Sequence, residues 1–483
     1  MTDSAAISPK SPHKVEDSLR QIVKLLEKHR LVETMVDRDH ASPRHDLIES
    51  LVHRQHLVEL QLKLRKLHPA DIAFVLEALP LDDRLLAWRQ IQDDRGGEVL
   101  LEVSDAARDS LIEALERPVL VRVLGQLDAD DLAELAEAVP EDVLAEVSRA
   151  LTARDRDWLQ TTMAYPEDWV GHLMTQDVLT VRESQRVEQV LSLLRGRDDL
   201  PPNTDSLFVV DARHLFKGVM PLRALLLNDP QAPVATLMLA DPVMFNATDS
   251  AGDAARAFER YDLVSAPVVN ERGKLLGRLT VDAVMDYIRE ESEEDALNMA
   301  GLRGDEDLFA PIWASARNRW LWLSINLCTA FVASRVIGLF EGTISQIVAL
   351  ATLMPIVAGI GGNSGNQTTA LVVRGLALGE IAPENHWHLV FKELGVGLLN
   401  GAVWGATVGL FAYLLYWNLP LAGVMAAAML LNLLLAALVG VAIPLTLHWM
   451  GRDPALGSSV LLTFITDGMG FFIFLGLATV FLL

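Results

Sequence analysis

Cysteine is almost absent. Among 483 residues only Cys328 occurs, inside an apolar run, so neither a disulfide framework nor a thiolate metal site can be built. The residue reads as a small buried hydrophobe. Basic charge is also in deficit, with 41 Lys plus Arg against 64 Asp plus Glu and a formal net charge of -23. Neutralising phosphates needs a basic surface, which argues against a nucleic-acid binder. Nor does the chain carry a His-Glu-x-x-His pair, a phosphate-binding Gly-Lys-Ser/Thr loop or a nucleophile with an evident base, so enzyme activity is not expected.

Net charge is missing from one half. From Pro311 to Leu483 there are six basic and six acidic residues, so the whole excess sits on the first 310 positions. The second half is rich in long apolar runs instead, and splitting the longest at Trp417-Asn418-Leu419-Pro420 predicts five membrane spans at 320–340, 343–372, 393–416, 421–448 and 455–483. The polar start Met1-Thr2-Asp3-Ser4 is no secretory signal, and the acidic half is expected in the cytosol. Lys/Arg bias agrees: with the N-terminus inside, inner loops hold Arg317, Arg319, Arg374, Lys392 and Arg452, and the outer ends only Arg335. The expected location is the plasma (inner) membrane of the cell, crossed several times, with the C-terminus outside.

Along the acidic half the texture changes twice. Residues 1–14 read as a disordered leader. Apolar residues at helical spacing then lead into a repeat, Leu67-His68-Pro69-Ala70-Asp71 with Glu77-Ala78-Leu79-Pro80, and again Leu127-Asp128-Ala129-Asp130-Asp131 with Glu137-Ala138-Val139-Pro140. Short helices repeated at such a period predict an all-α superhelical domain over 15–164. Over 165–285 a second repeat appears, in which Leu207-Phe208-Val209-Val210-Asp211 returns as Ala266-Pro267-Val268-Val269-Asn270. Two copies in β-α-β-β-α order resemble a tandem pair of cystathionine-β-synthase (CBS) domains. An acidic connecting helix is expected over 286–312, and the five-span domain over 313–483. On that helix Glu291, Glu294 and Asp295 share a face, where like charges repel unless solvent or a divalent cation offsets them.

Two features of the membrane half carry chemistry. Asp467 lies thirteen positions into a 30-residue apolar run, where a carboxylate is costly and marks a functional site; the competing reading is an ion pair with Arg335. Gly359-Ile360-Gly361-Gly362-Asn363-Ser364-Gly365-Asn366-Gln367-Thr368-Thr369 is too rich in glycine and amides for a lipid-facing helix. It is expected to be irregular backbone lining a pore, with Gly361, Gly362, Asn363 and Asn366 joined there by Thr463; close helix packing is the alternative. Carboxylate, amide and hydroxyl oxygens suit hard cations, and Mg2+, which keeps several waters, could be held by a single acid per chain.

The order of these parts resembles the MgtE family of magnesium channels over residues 15–483. Three separated motifs carry the resemblance: Gly361-Gly362-Asn363-Ser364-Gly365-Asn366-Gln367, Lys392-Glu393-Leu394-Gly395-Val396-Gly397, and Asp453-Pro454-Ala455 followed by Asp467. The resemblance implies a homodimeric Mg2+ channel in the lipid bilayer, with Asp467 holding the hydrated ion and Glu341 attracting ions at the entrance. It also implies closure by cytosolic Mg2+ at Asp286, Glu291, Glu294 and Asp295, with Asp128 and Asp131 as superhelix candidates. Departures are Thr280-Val281-Asp282-Ala283, one carboxylate short, and Val460 with Thr463-Phe464 near the inner gate. Ala224 and Ala283 stand where CBS domains usually carry the acid that grips a ribose, which argues against an adenine-nucleotide regulator. A cation exchanger coupling Mg2+ to Na+ or H+, or a membrane-anchored Mg2+ sensor, are the alternative functions.

Overall fold

The computed structural model describes residues 12–36, 45–197, 199–302, 306–381 and 383–483. Most of the expected leader, through residue 11, lies outside the described residues, as do Arg303 and Asp305 of the acidic segment. The chain divides into two compact units, 1–289 with 307–311 and 290–306 with 312–483.

The first unit opens on two longer helices, Pro12–Val36 and His45–Leu64, followed by short ones from Pro69–Glu77 to Ala153–Thr162. The 67/127 repeat has a structural cause: His68 and Asp128 both cap helix N-termini, Asp128 accepting from the amides of Asp130 and Asp131 at 2.9 Å. Pro80 and Pro140 stand just before the next helix in each copy. A second repeat stitches the layers. Arg84, Arg108 and Arg156 each donate from Nε to the carbonyl eight residues earlier (Leu76, Leu100, Ser148), at 2.9 Å in every case. These side chains add a second bond to carbonyls near the end of the preceding helix, two of which, Leu76 and Ser148, already accept a backbone amide. The core is aliphatic, with Leu76, Leu100, Leu111 and Leu132 fully buried.

Two three-stranded sheets follow. In the first, β1 (Thr180–Arg182) runs parallel to β2 (Ser206–Val210), which pairs antiparallel with β3 (Phe216–Pro221). In the second, β4 (Phe245–Asn246), β5 (Ser265–Val269) and β6 (Leu275–Thr280) repeat the pattern. Even the register irregularities correspond, between Val209 and Val210 and between Val268 and Val269. The connecting helix is Val281–Met299, starting before and ending well short of the expected 286–312. Gly301, at φ 73°, stands in the left-handed region that stops a helix.

Five long helices dominate the second unit: Ile312–Gly338, Ala349–Ala377, His386–Tyr416, Leu419–Trp449 and Ser458–Leu482. All but the second are long and apolar enough to cross a membrane; the second has a lower hydropathy because of its Gly/Asn/Gln/Thr run. The fourth and fifth start within three residues of their expected positions and the second six residues later, whereas the first and third begin about two turns earlier and so include Arg317, Arg319 and Lys392. The third and fourth form a tight hairpin. Gly397, Gly401, Gly405 and Gly409, spaced by four, let the third helix press onto the fourth: a methyl at Gly405 would meet the Ala426 carbonyl oxygen at 2.7 Å.

One expectation is overturned outright. The segment 359–369 is not irregular backbone but the middle of the continuous 29-residue helix Ala349–Ala377. Two of its glycines serve close packing: a Cβ at Gly361 would lie 2.3 Å from Asn432 Nδ2, and one at Gly365 2.7 Å from a Leu462 methyl. Burial against neighbouring helices offsets the poor helix propensity of glycine. Cys328 is likewise exposed on the first long helix rather than buried in the chain.

Candidate functional site

Asp467 is the tenth residue of Ser458–Leu482, about 15 Å along the helix axis. Leu462, Thr466, Gly470 and Phe474, at helical spacing of four, are the buried face of this helix. Thr463 and Asp467 form the adjacent stripe, Thr463 exposed and Asp467 half-buried. Thr466 spends its hydroxyl on its own helix, donating to the Leu462 carbonyl at 3.0 Å. That leaves Asp467 as the reactive group of its turn. Among the described residues no hydrogen bond or ion pair engages its carboxylate, and Arg335 is exposed. The competing ion-pair reading thus loses its partner.

The glycine-rich segment meets this same turn. A Cβ at Gly362 would lie 3.8 Å from Thr466 Oγ1, one residue before Asp467. Gly361 and Gly362 are buried in helix contacts, Asn363 is exposed and Asn366 is half-buried. The Asn366 Oδ1 atom is itself buried and has no hydrogen-bond partner among the described residues, an uncompensated acceptor that costs about 1–3 kcal/mol. Beneath it, Thr368 donates to the buried carboxylate of Glu393 at 3.1 Å, and Lys392 pairs with the other oxygen. Glu341 opens the short helix Glu341–Gln346 and is exposed.

A second acidic locus lies where the connecting helix meets the loop before the last long helix. Asn298 donates from Nδ2 to Glu294 Oε1 at 3.3 Å and to Asp453 Oδ2 at 3.1 Å, and Ser459 donates to the Met299 carbonyl at 2.8 Å. Burial, then the charges of Asp453, Glu291 and Glu294, push the Asp295 carboxyl up to about 6. Trp322 holds the same corner, its ring lying against Gly301 and against Gly457, whose φ of 66° suits glycine. Asp286 is exposed and paired with Arg289 at 3.5 Å. Among the described residues no three His, Cys, Asp or Glu side chains converge closely enough to hold a metal ion.

On the superhelix, Asp128 is committed to its helix cap, whereas Asp131 is half-buried and pushed up to about 6 by burial and by the charges of Asp128 and Asp130. Sequence reading missed Asp130 between them. It accepts from Trp158 Nε1 at 2.6 Å, from the Gln176 amide and from Thr175 Oγ1, joining the superhelix to the first CBS copy. The repeat hid it, because its counterpart at position 70 is Ala. Asn432, also missed, carried a legible signal as a polar side chain within an apolar stretch, and Glu393 was named only as part of a motif.

Comparison with known proteins gives a consistent picture. The family model described as "Divalent cation transporter" matches residues 354–477, that of the MgtE intracellular N domain matches 67–168, and the CBS domain matches 170–228 and 234–290. The magnesium transporter MgtE of Thermus thermophilus is 33% identical over 429 residues, covering 86% of this chain and 93% of the relative. The magnesium transporter MgtE of Bacillus subtilis is 28% identical over 417 residues, covering 86% and 92%. Among solved structures, the cytosolic domain of the Mg2+ channel MgtE in complex with ATP is similar at 30% identity and a TM-score of 0.44, covering 50% of this chain and 98% of that one.

Proposed function

The chain belongs to the MgtE family of divalent-cation transporters, and from that premise we propose that it is a plasma-membrane Mg2+ channel, admitting the ion down the membrane potential and closed by cytosolic Mg2+. The observation that carries the reading is Asp467, the one charged residue of Ser458–Leu482, unpaired and half-exposed in a helix that otherwise suits lipid. A carboxylate so placed marks an ion path. Mg2+ gives up its waters reluctantly, so a single acid facing a hydrated ion is chemically apt. Two chains meeting about an axis would offer two such acids, and the homodimer is part of this reading.

In this account Ala349–Ala377 is a fifth span, Asn363, Asn366 and Thr463 present oxygens to the path, and Glu341 draws cations to its outer end. The N-terminus is cytosolic, in keeping with the Lys/Arg bias. Inward movement of a divalent ion is driven by about 2.3 kcal/mol per charge per 100 mV. Closure is supported by the crowding of Glu291, Glu294, Asp295 and Asp453. A divalent cation that relieves this repulsion in one state shifts the population toward it. Asp286, Asp128 and Asp131 are further candidate ligands for the regulatory ion.

Reconstitution in planar bilayers tests this. Unitary Mg2+ currents that reverse at the Mg2+ equilibrium potential, and that fall when Mg2+ is raised on the N-terminal side, are expected. Strict stoichiometric coupling of Mg2+ flux to Na+ or H+, without unitary currents, would replace the channel by an exchanger.

A further inference from the structure

Asn432 is the lone amide in the middle of Leu419–Trp449, a helix whose remaining interior is apolar, and it is 0% exposed. Its Nδ2 donates to the Val357 carbonyl of the second long helix at 2.9 Å, while its Oδ1 finds no partner among the described residues. The carboxamide occupies a slot that two glycines make. A Cβ at Gly361 would stand 2.3 Å from Asn432 Nδ2, and a Cβ at Gly470, on the fifth helix, 2.8 Å from the same atom. One side chain of the fourth helix therefore keys into the second and fifth helices together.

We propose that Asn432 is a positioning residue for conduction: it fixes the height at which the Asp467 turn of the fifth helix meets the glycine-rich segment of the second. This rests on the reading of Asp467 as the ion-holding residue. Gly470 lies one turn beyond Asp467, and Thr466, just before it, faces Gly362. A slip of one residue is about 1.5 Å; on the fifth helix it would carry Met469 or Phe471 toward the carboxamide, and on the second it would break the bond to the Val357 carbonyl. Filling the space would need only leucine, which has a similar branched outline and no desolvation penalty. Asparagine adds a directional bond to one carbonyl, and that bond sets register where apolar packing would tolerate several.

The test compares Asn432→Leu with the unchanged protein, as full-length chains in proteoliposomes, reading the Mg2+ uptake rate, the half-saturating Mg2+ concentration and the Mg2+ to Ca2+ rate ratio. Thermal midpoint and size-exclusion profile monitor folding. The proposal expects a folded N432L protein whose Mg2+ to Ca2+ ratio falls about tenfold, because displacing a reacting group by an ångström alters function on that scale or more. Gly470→Ala should do likewise. Adding Asn432→Leu to it should lower the ratio little further, since both substitutions act through the same carboxamide, whereas two independent packing defects would add.

N432L with unaltered rate, half-saturation and ratio overturns the inference, as does a double variant whose ratio falls by the product of the two single losses. Should N432L fail to fold, G470A alone decides, and an unaltered ratio there overturns the inference. Asp467→Ala run alongside separates the two claims: if it conducts normally, the reading of Asp467 fails; if it is inactive while N432L is unaltered, only the role of Asn432 fails.

Discussion

Asn298 donates to Asp453 at 3.1 Å, tying the last turn of the connecting helix to the loop that leads into the helix of Asp467. This bond crosses a zone of like charge, and burial with that charge raises Asp295 to about 6. Substituting Gln or Asn at Glu291, Glu294 and Asp295 together should raise the internal Mg2+ needed for half-inhibition of flux by about fivefold or more, the lower end of typical coupling between sites. An inhibition curve that does not move would make the acidic face mere solvated surface.

Glu137 and Glu167 share a carboxyl–carboxyl hydrogen bond, which, with burial and the charges of Glu137, Asp105 and Asp168, pushes Glu167 up from 4.5 to about 7. A group whose folded pKa is raised stabilises the fold below its unfolded value and loses that contribution as pH rises through the folded one. The thermal midpoint of the first unit should therefore decline between pH 4.5 and about 7, and Glu167→Gln should flatten that part of the profile. Parallel profiles for both proteins would contradict the pairing.

Arg84 is 1% exposed, and beyond its helix-end carbonyls its guanidinium is satisfied by both carboxylate oxygens of Asp307, at 2.5 and 3.1 Å. The equivalent Arg108 uses Asp105, three residues before it, whereas Arg84 has Leu81 at that position. Asp307→Ala should leave a buried cation unpaired and cost on the order of 3 kcal/mol. Hydrogen exchange in helices Pro69–Glu77 and Asp105–Glu113 of the full chain reads this directly. Unchanged protection would show that water replaces the carboxylate at no loss.

Gly405→Ala places a methyl 2.7 Å from a backbone oxygen that cannot retreat alone, so the hairpin of the third and fourth helices must part. A cost of about 1–3 kcal/mol is expected in the thermal midpoint in detergent. Gly395→Ala, with nothing within 4 Å, is the control and should be neutral or slightly stabilising.

The two repeats were legible because a helix cap or a strand pair imposes the same residue types at each return, as Pro80/Pro140 and Val209/Val268 do. Asp467 was legible because charge in an apolar run has few explanations. The 359–369 segment misled, since glycine and amides weaken a helix only until neighbours pack on them, and Asn432 and Leu462 lie far away in sequence. The same distance hid Arg84 and Asp307, 223 residues apart. The Gly397–Gly409 stripe and the lone Asn432 are legible by spacing and polarity alone, although neither carries a charge.

The central claim is that Mg2+ passes Asp467. Its most direct test is Mg2+ uptake by proteoliposomes holding the full-length protein with Asp467→Asn, which keeps the side chain's size and removes its charge. The account predicts a folded protein whose Mg2+ uptake is at the level of empty vesicles. Undiminished, Mg2+-selective uptake by D467N would contradict it.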